Sequence, residues 1–336
     1  MPIRAEAPCR IDLAGGTLDI HPLYLFLPEA CTVNLAIDVT ATAVVSDLAG
    51  GRTELESQDR GLKAKLSPGG SDQLPKGLEL AATIVQRLVP EGGVAVRTRS
   101  GSPVGAGLAA SSALCVALTS ALLLRRGETL VAADLVRLCL DLEAEVLGTP
   151  AGCQDHYAAL NGGLQEIRFA PGAVEARQLA ADLGELRRRM TLVYTGRPRH
   201  SGLNNWEVYK AFIDGDENVR SALAEIGYAA VQMAGALCSG DWAAVGSLLA
   251  REWRQRKRLS PMIATPAVDA LVEEAEKLGG AGKVCGAGGG GCVVLWHDGG
   301  GEARQRIGET ARRLGATEIE WSPAAQGCRV GRLTKQ

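Results

Sequence analysis

Residues 103–113 read PVGAGLAASSA, and what flanks them decides how they are read. Upstream, 94–98 (VAVRT) alternates apolar and polar residues as a strand does; downstream, 114–124 (LCVALTSALLL) is a long apolar helical run. Between them, Gly105 and Gly107 remove Cβ atoms, so the backbone can close on a ligand. Pro103 opens the loop, and Ala106, Leu108, Ala109 and Ala110 lead into the helix. The first N–H groups of that helix lack partners and its dipole favours an anion, so a phosphate group is the natural guest. The loop is not a GxxxxGK[ST] loop, because it has no lysine, and Ala110 replaces the third glycine of a dinucleotide fingerprint. Ser111 and Ser112 place two hydroxyls in the first turn, suited to a magnesium ion riding on phosphates. Taken alone, the stretch reads equally well as a glycine turn with N-capping serines.

Composition narrows the classes around this loop. A chain of 336 residues exceeds one ordinary core and predicts two domains. With 46% hydrophobic residues and a net charge of −2, it offers no electrostatic basis for binding nucleic acid or an anionic membrane. No apolar run is read as long enough to span a bilayer, and the opening residues MPIRAE lack the apolar core of a signal peptide. Nine cysteines are scattered singly without a CxxC pair, which argues against zinc or a disulfide framework and for a reducing, cytoplasmic setting.

Apolar periodicity predicts strands over 3–13, 31–46, 93–99, 164–169 and 190–195, with a last one near 317–321. Helices are predicted over 77–89, 108–125, 129–147, 203–213, 217–238, 241–257, 266–278 and 301–314. Strands and helices without regular alternation argue for an α+β fold, and the Ala-Pro-Gly break at 170–172 is taken as the domain boundary, giving 1–172 and 173–336. A second glycine run, 286–291 (GAGGGG), lies between two strand-like segments. Five glycines in six positions cost up to about 1 kcal/mol each relative to alanine, so the run marks either a tight hairpin or a close backbone approach to a ligand.

Three further segments carry chemistry. In 7–19 (APCRIDLAGGTLD) a strand ends in a glycine turn that presents Arg10 and Asp19 on one side; each also reads as a surface ion pair or a turn former. In 143–157 (EAEVLGTPAGCQDHY) a helix ends at Gly148, and a Pro/Gly turn leads to Asp155. Glu143 and Glu145 read most simply as solvated helix residues, and His156 as structural. In 194–207 a strand ends in a loop with Arg197, Arg199 and His200, able to meet an anionic or hydroxylated substrate or to remain a solvated connection.

Together these segments resemble the galactokinase, homoserine kinase, mevalonate kinase and phosphomevalonate kinase (GHMP) superfamily. APxR with an aspartate nine residues on is similar to its first motif, 103–113 to the phosphate loop PxGxGLxSS, and 286–291 to the glycine motif near the C-terminus. ExExxG followed by PxGxxD, at Glu143, Glu145, Gly148, Pro150, Gly152 and Asp155, is similar to the sugar-kinase pattern. AGGTLD resembles AGGGTD of bacterial heptose-phosphate kinases and fucokinases, and GCQDHYAA resembles their GKQDQYAA. Three positions depart from it: Cys153 replaces a lysine, Thr17 a glycine, and Ala110 a serine.

The resemblance implies a domain like ribosomal protein S5 domain 2 followed by a ferredoxin-like domain, with ATP and substrate meeting between them. It implies ATP on residues 103–112, Mg²⁺ on Ser111 (preferred over Ser112) and Glu143, Asp155 as the base and Arg10 as the stabiliser of the transferring phosphoryl. It further implies an acceptor site of Gly16, Thr17, Asp19, Gly152, Gly288 and Gly289. The expected activity is phosphorylation of a sugar or sugar phosphate of the heptose 7-phosphate or fucose type at the anomeric hydroxyl, by a monomer or homodimer. A galactokinase-like or mevalonate kinase-like enzyme, or a sensor that binds ligand without turnover, are the alternatives.

Overall fold

The computed structural model describes residues 1–67, 74–198 and 201–333. Its larger sheet begins with β1 (Ile3–Ala14) and the long β2 (Cys31–Asp47), paired antiparallel from Ile3↔Val45 to Ala14↔Val33. β2 is long enough to serve two neighbours. Its second half pairs with β5 (Val94–Ser100) and its first half with β6 (Leu164–Ala170). The short hairpin β3 (Thr53–Ser57) and β4 (Leu62–Leu66) extends the β5 edge, while β7 (Ala173–Gln178) extends β6 and β12 (Arg329–Arg332) extends β1.

Across this sheet lies α2 (Ala110–Arg126), apolar nearly all round and therefore buried between β1 and β2 on one side and α1 (Glu79–Leu88), α3 (Ala132–Leu147) and α4 (Gln154–Asn161) on the other. The chain passes through α5 (Leu183–Arg188) into a four-stranded sheet ordered β11 (Thr317–Glu318), β8 (Met190–Tyr194), β10 (Cys292–Trp296), β9 (Ala281–Val284). Around it lie α6 (Ser201–Ile213), α7 (Glu217–Ser239), α8 (Trp242–Leu259), α9 (Pro266–Lys277) and α10 (Gly301–Arg313). One apolar cluster runs through both halves, from Ala5 and Leu35 to Val294 and Trp296.

Two expectations are corrected. Pro171 and Gly172 form the turn of the β6–β7 hairpin, so the larger sheet takes in residues beyond 172, and β12 returns to it from the C-terminal end. The second concerns α7, which at 23 residues is long and apolar enough, by length and composition, to span a bilayer. In the fold its face with Leu223, Ile226, Ala230 and Met233 is buried, and it packs on α8, β1 and β2.

Candidate active site

The loop after β5 is shaped from behind. Gly105 (φ 69°), Gly107 (φ 79°) and Ala109 (φ 65°) take left-handed conformations. The carbonyls of Ala106, Gly107 and Leu108 accept from the Cys292 N–H (2.6 Å), the Arg10 guanidinium (2.8 Å) and the Arg10 N–H (3.0 Å). With those carbonyls drawn away, the amide edge is left toward the cleft. Ala109, the N-cap of α2, supplies no capping side chain, and the first helical bond from this end is Ala113 N–H to Ala109. The leading N–H groups are thus available to an anion.

Ser112 is buried and donates to Glu143 Oε2 at 2.7 Å, while Ser111 is exposed and also bears on the Glu143 carboxylate. The preference for Ser111 as a cation ligand therefore meets a pair of hydroxyls at one carboxylate. Glu143 is buried, not solvated, whereas Glu145 is exposed and pairs with Arg87. Burial pushes the Glu143 carboxyl up, but His156 and the two serines outweigh it and hold it below the usual range. His156 Nε2 stands 3.0 Å from Glu143 Oε2. Burial opposes a charge there, but Glu143 outweighs it and raises the imidazole to about 9, which favours its protonated form. Adjacent positions on α4 point about 100° apart, which sends Asp155 to the cleft and His156 back toward α3. An anionic carboxylate flanked by two hydroxyls at a helix N-terminus suits a hard divalent cation on phosphates.

Arg10 joins three segments. Its Nε donates to Asp155 Oδ1 at 2.8 Å, and its NH1 donates to the carbonyls of Gly107 and Cys285, each at 2.8 Å. Burial opposes its charge, but Asp155 and Asp12 hold the guanidinium pKa above its ordinary value. Asp19, 4% exposed, accepts from the Gln154 N–H at 3.0 Å. Burial, then the nearby Asp155 charge, pushes its carboxyl to about 6 against the pull of that amide. Gly152 permits the approach, since a Cβ there would lie 2.0 Å from Asp19 Oδ2. In the AGGT turn, Gly15 (φ 90°) has no room for a Cβ beside the Cys31 carbonyl, and Thr17 (φ 81°) takes a left-handed conformation at the position where the resemblance has glycine.

One cleft of about 390 Å³ gathers Arg10, Gly16, Thr17, Asp19, the loop from Pro103 to Ser112, Glu143, Gly152 and Asp155. Of the second glycine run, Gly286 and Ala287 line it. Gly288 and Gly289 pack against Ile263, whose carbonyl accepts the Gly289 N–H at 2.9 Å. Arg197 is exposed and Asn205 lines the cleft; Arg199 and His200 lie outside the described residues.

Sequence reasoning missed four charges beneath the AGGT turn. Lys283 Nζ lies 3.1 Å from both Asp12 Oδ2 and Glu252 Oε1, and Arg256 Nε donates to Glu252 Oε1 at 2.8 Å. Each is no more than 1% exposed. The signal was there: Asp12 and Lys283 interrupt apolar strands, and Glu252 and Arg256 stand four apart on one helix.

Residues 76–163 match the family model described as GHMP kinases N terminal domain, and 233–313 match GHMP kinases C terminal. The chain is 26% identical to a D-glycero-alpha-D-manno-heptose 7-phosphate kinase of Campylobacter jejuni, over 88% of this chain and 89% of that protein. It is 27% identical to a bifunctional fucokinase/GDP-fucose pyrophosphorylase of Arabidopsis thaliana over 92% of this chain, and spans 31% of that longer relative. In structure it superposes on a D-glycero-D-manno-heptose 1-phosphate kinase from Bacteroides thetaiotaomicron with a TM-score of 0.79 at 22% identity, covering 99% of this chain and 100% of that one. The mevalonate kinase of Methanococcus jannaschii aligns with a TM-score of 0.74 at 19% identity, over 96% of this chain and 98% of that one. With both family domains matched in order and the phosphate loop, Arg10 and Asp155 meeting in one cleft, the chain belongs to the GHMP kinase family.

Proposed function

We propose that this kinase transfers the γ-phosphoryl of ATP to a hydroxyl of a sugar or sugar phosphate, of the heptose 7-phosphate or fucose type, at the anomeric position. The observation that carries the reading is the Arg10–Asp155 pair, set between the N-terminus of α2 and the buried Asp19. Phosphoryl transfer asks the protein chiefly for positioning and charge neutralisation. Residues 103–112 hold the ATP phosphates through backbone amides. Glu143 with Ser111 and Ser112 would hold Mg²⁺, which when bound neutralises phosphate charge. Asp155 accepts the proton of the attacking hydroxyl, Arg10 both orients that carboxylate and offsets charge on the transferring group, and Asp19 accepts from a neighbouring substrate hydroxyl.

The test is ADP release against L-fucose, heptose 7-phosphate, galactose, mannose, glucuronate and mevalonate. A sugar-dependent signal is expected with fucose or the heptose phosphate, and Asp155→Asn should abolish it while ATP affinity stays within about threefold of wild type. Near-native turnover by Asp155→Asn would remove the base assignment, and sugar binding without ADP release would mark a sensor.

A further inference from the structure

The turn that carries Asp19 is strained and is held from the other half of the molecule. Gly15 and Thr17 both sit at left-handed φ, a conformation that a β-branched residue adopts only under strain. Inside the turn, Leu18 N–H donates to Gly15 (3.1 Å) and Ile20 N–H to Thr17 (3.3 Å). The Gly16 carbonyl between them is taken by Arg256 NH2 from α8, at 2.9 Å. Arg256 is fixed in turn: Nε and NH2 both donate to Glu252 Oε1, Lys283 bridges Glu252 to Asp12, and Asp12 Oδ2 fills the space a Gly16 Cβ would need, at 2.4 Å. A buried ionic group of zero net charge returns about what its desolvation costs, so stability alone does not account for it.

We propose that Arg256 is a positioning residue for the acceptor: by holding the Gly16 carbonyl it keeps the strained turn closed and Asp19 aimed into the cleft. The assignment rests on reading the Asp19 end of the cleft as the acceptor site. It requires the reach of the guanidinium, because NH2 at its tip is the atom that meets both Glu252 and the Gly16 carbonyl; a lysine keeps the charge beside Glu252 but ends one bond short of NH2 and releases Gly16.

Two arms test it on the full chain, with Arg256→Lys, which preserves charge, and with Glu252→Gln/Arg256→Met, which leaves no unpaired ion. The first needs no substrate. Amide hydrogen exchange over residues 15–20 should rise about tenfold or more in both variants, while residues 103–114 stay unchanged. No rise, or an equal rise in both segments, overturns the proposal. The second uses L-fucose or heptose 7-phosphate, whichever is phosphorylated. The acceptor KM should rise about tenfold with the ATP KM within about twofold, and Thr17→Gly should rescue most of that loss, because glycine takes the turn conformation freely. Strictly additive effects of Thr17→Gly and Arg256→Lys overturn the clamp. If the wild type phosphorylates neither sugar, the proposed substrate class fails while the exchange arm still decides the role of Arg256.

Discussion

Asp19 and Asp155 share a cleft but differ in their partners. Asp155 shares the Arg10 guanidinium, whereas Asp19 is buried with a backbone amide on it and Asp155 nearby. A carboxyl raised from 3.8 to about 6 binds more protons folded than unfolded, so its stabilising contribution is present at low pH and lost as pH rises from about 4 through 6. Asp19→Asn should therefore stabilise the protein by up to about 3 kcal/mol at pH 7.5 and by almost nothing at pH 3.5. Thermal unfolding at the two pH values checks this; an advantage independent of pH would refute it. His156 runs the other way in origin. A histidine raised from 6.5 to about 9 stabilises fully below pH 6.5 and loses that contribution as pH rises through 9. His156→Gln should cost roughly 3 kcal/mol at pH 6 and little at pH 10, read by denaturant unfolding at both. Sequence exposed Asp19 and Asp155 because each stands beside glycines at a strand or helix end. It could not expose the His156–Glu143 pair, which exists only because α4 packs on α3.

At the scale of elements, the second glycine run is a seam. Gly291 N–H donates to the Arg197 carbonyl at 2.9 Å, Cys292 N–H to Ala106, and Tyr194 and Thr195 of the smaller-sheet side reach Val104 and Gly291. The run thus sets the phosphate loop against the paired strands β8 and β10. Gly291 has φ 79°, and a Cβ on it would lie 2.7 Å from the Ala106 carbonyl oxygen. Gly291→Ala should push the phosphate loop out of shape and lower the affinity for an ATP analogue about tenfold or more, with helical content unchanged. Calorimetric titration with circular dichroism checks it, and native affinity would show that the seam does not set the loop. Long amphipathic and alternating segments were readable to within about three residues, because burial on one face writes a period into the sequence. Several short ones were not. β3 and β4 have five residues each, and α4 has eight with Gln154, His156, Tyr157, Ala158 and Ala159 all buried, which leaves no polar face to mark it as a helix.

At the scale of the whole molecule, the order of motifs along the chain made the family architecture legible, while the junction of the two halves was not. That junction is Asp12 on β1, Glu252 and Arg256 on α8, and Lys283 on β9, residues separated by up to 271 positions in sequence and meeting without solvent. Removing one member of such a group leaves an uncompensated buried charge and costs about 3–5 kcal/mol, whereas removing an oppositely charged pair leaves the remaining charges balanced. Lys283→Met should therefore destabilise the protein by about that amount, and Asp12→Asn/Lys283→Met should recover to within about 1–2 kcal/mol of wild type. Because the apolar core also runs through both halves, the loss should appear as a shift of one unfolding transition and not as the early melting of one half. Urea unfolding followed by tryptophan fluorescence reports on this directly, since Trp253 lies on α8 next to Glu252 and Trp296 at the end of β10. Equal losses in the single and double variants, or two separated transitions, would mean that the charges are not what joins the halves.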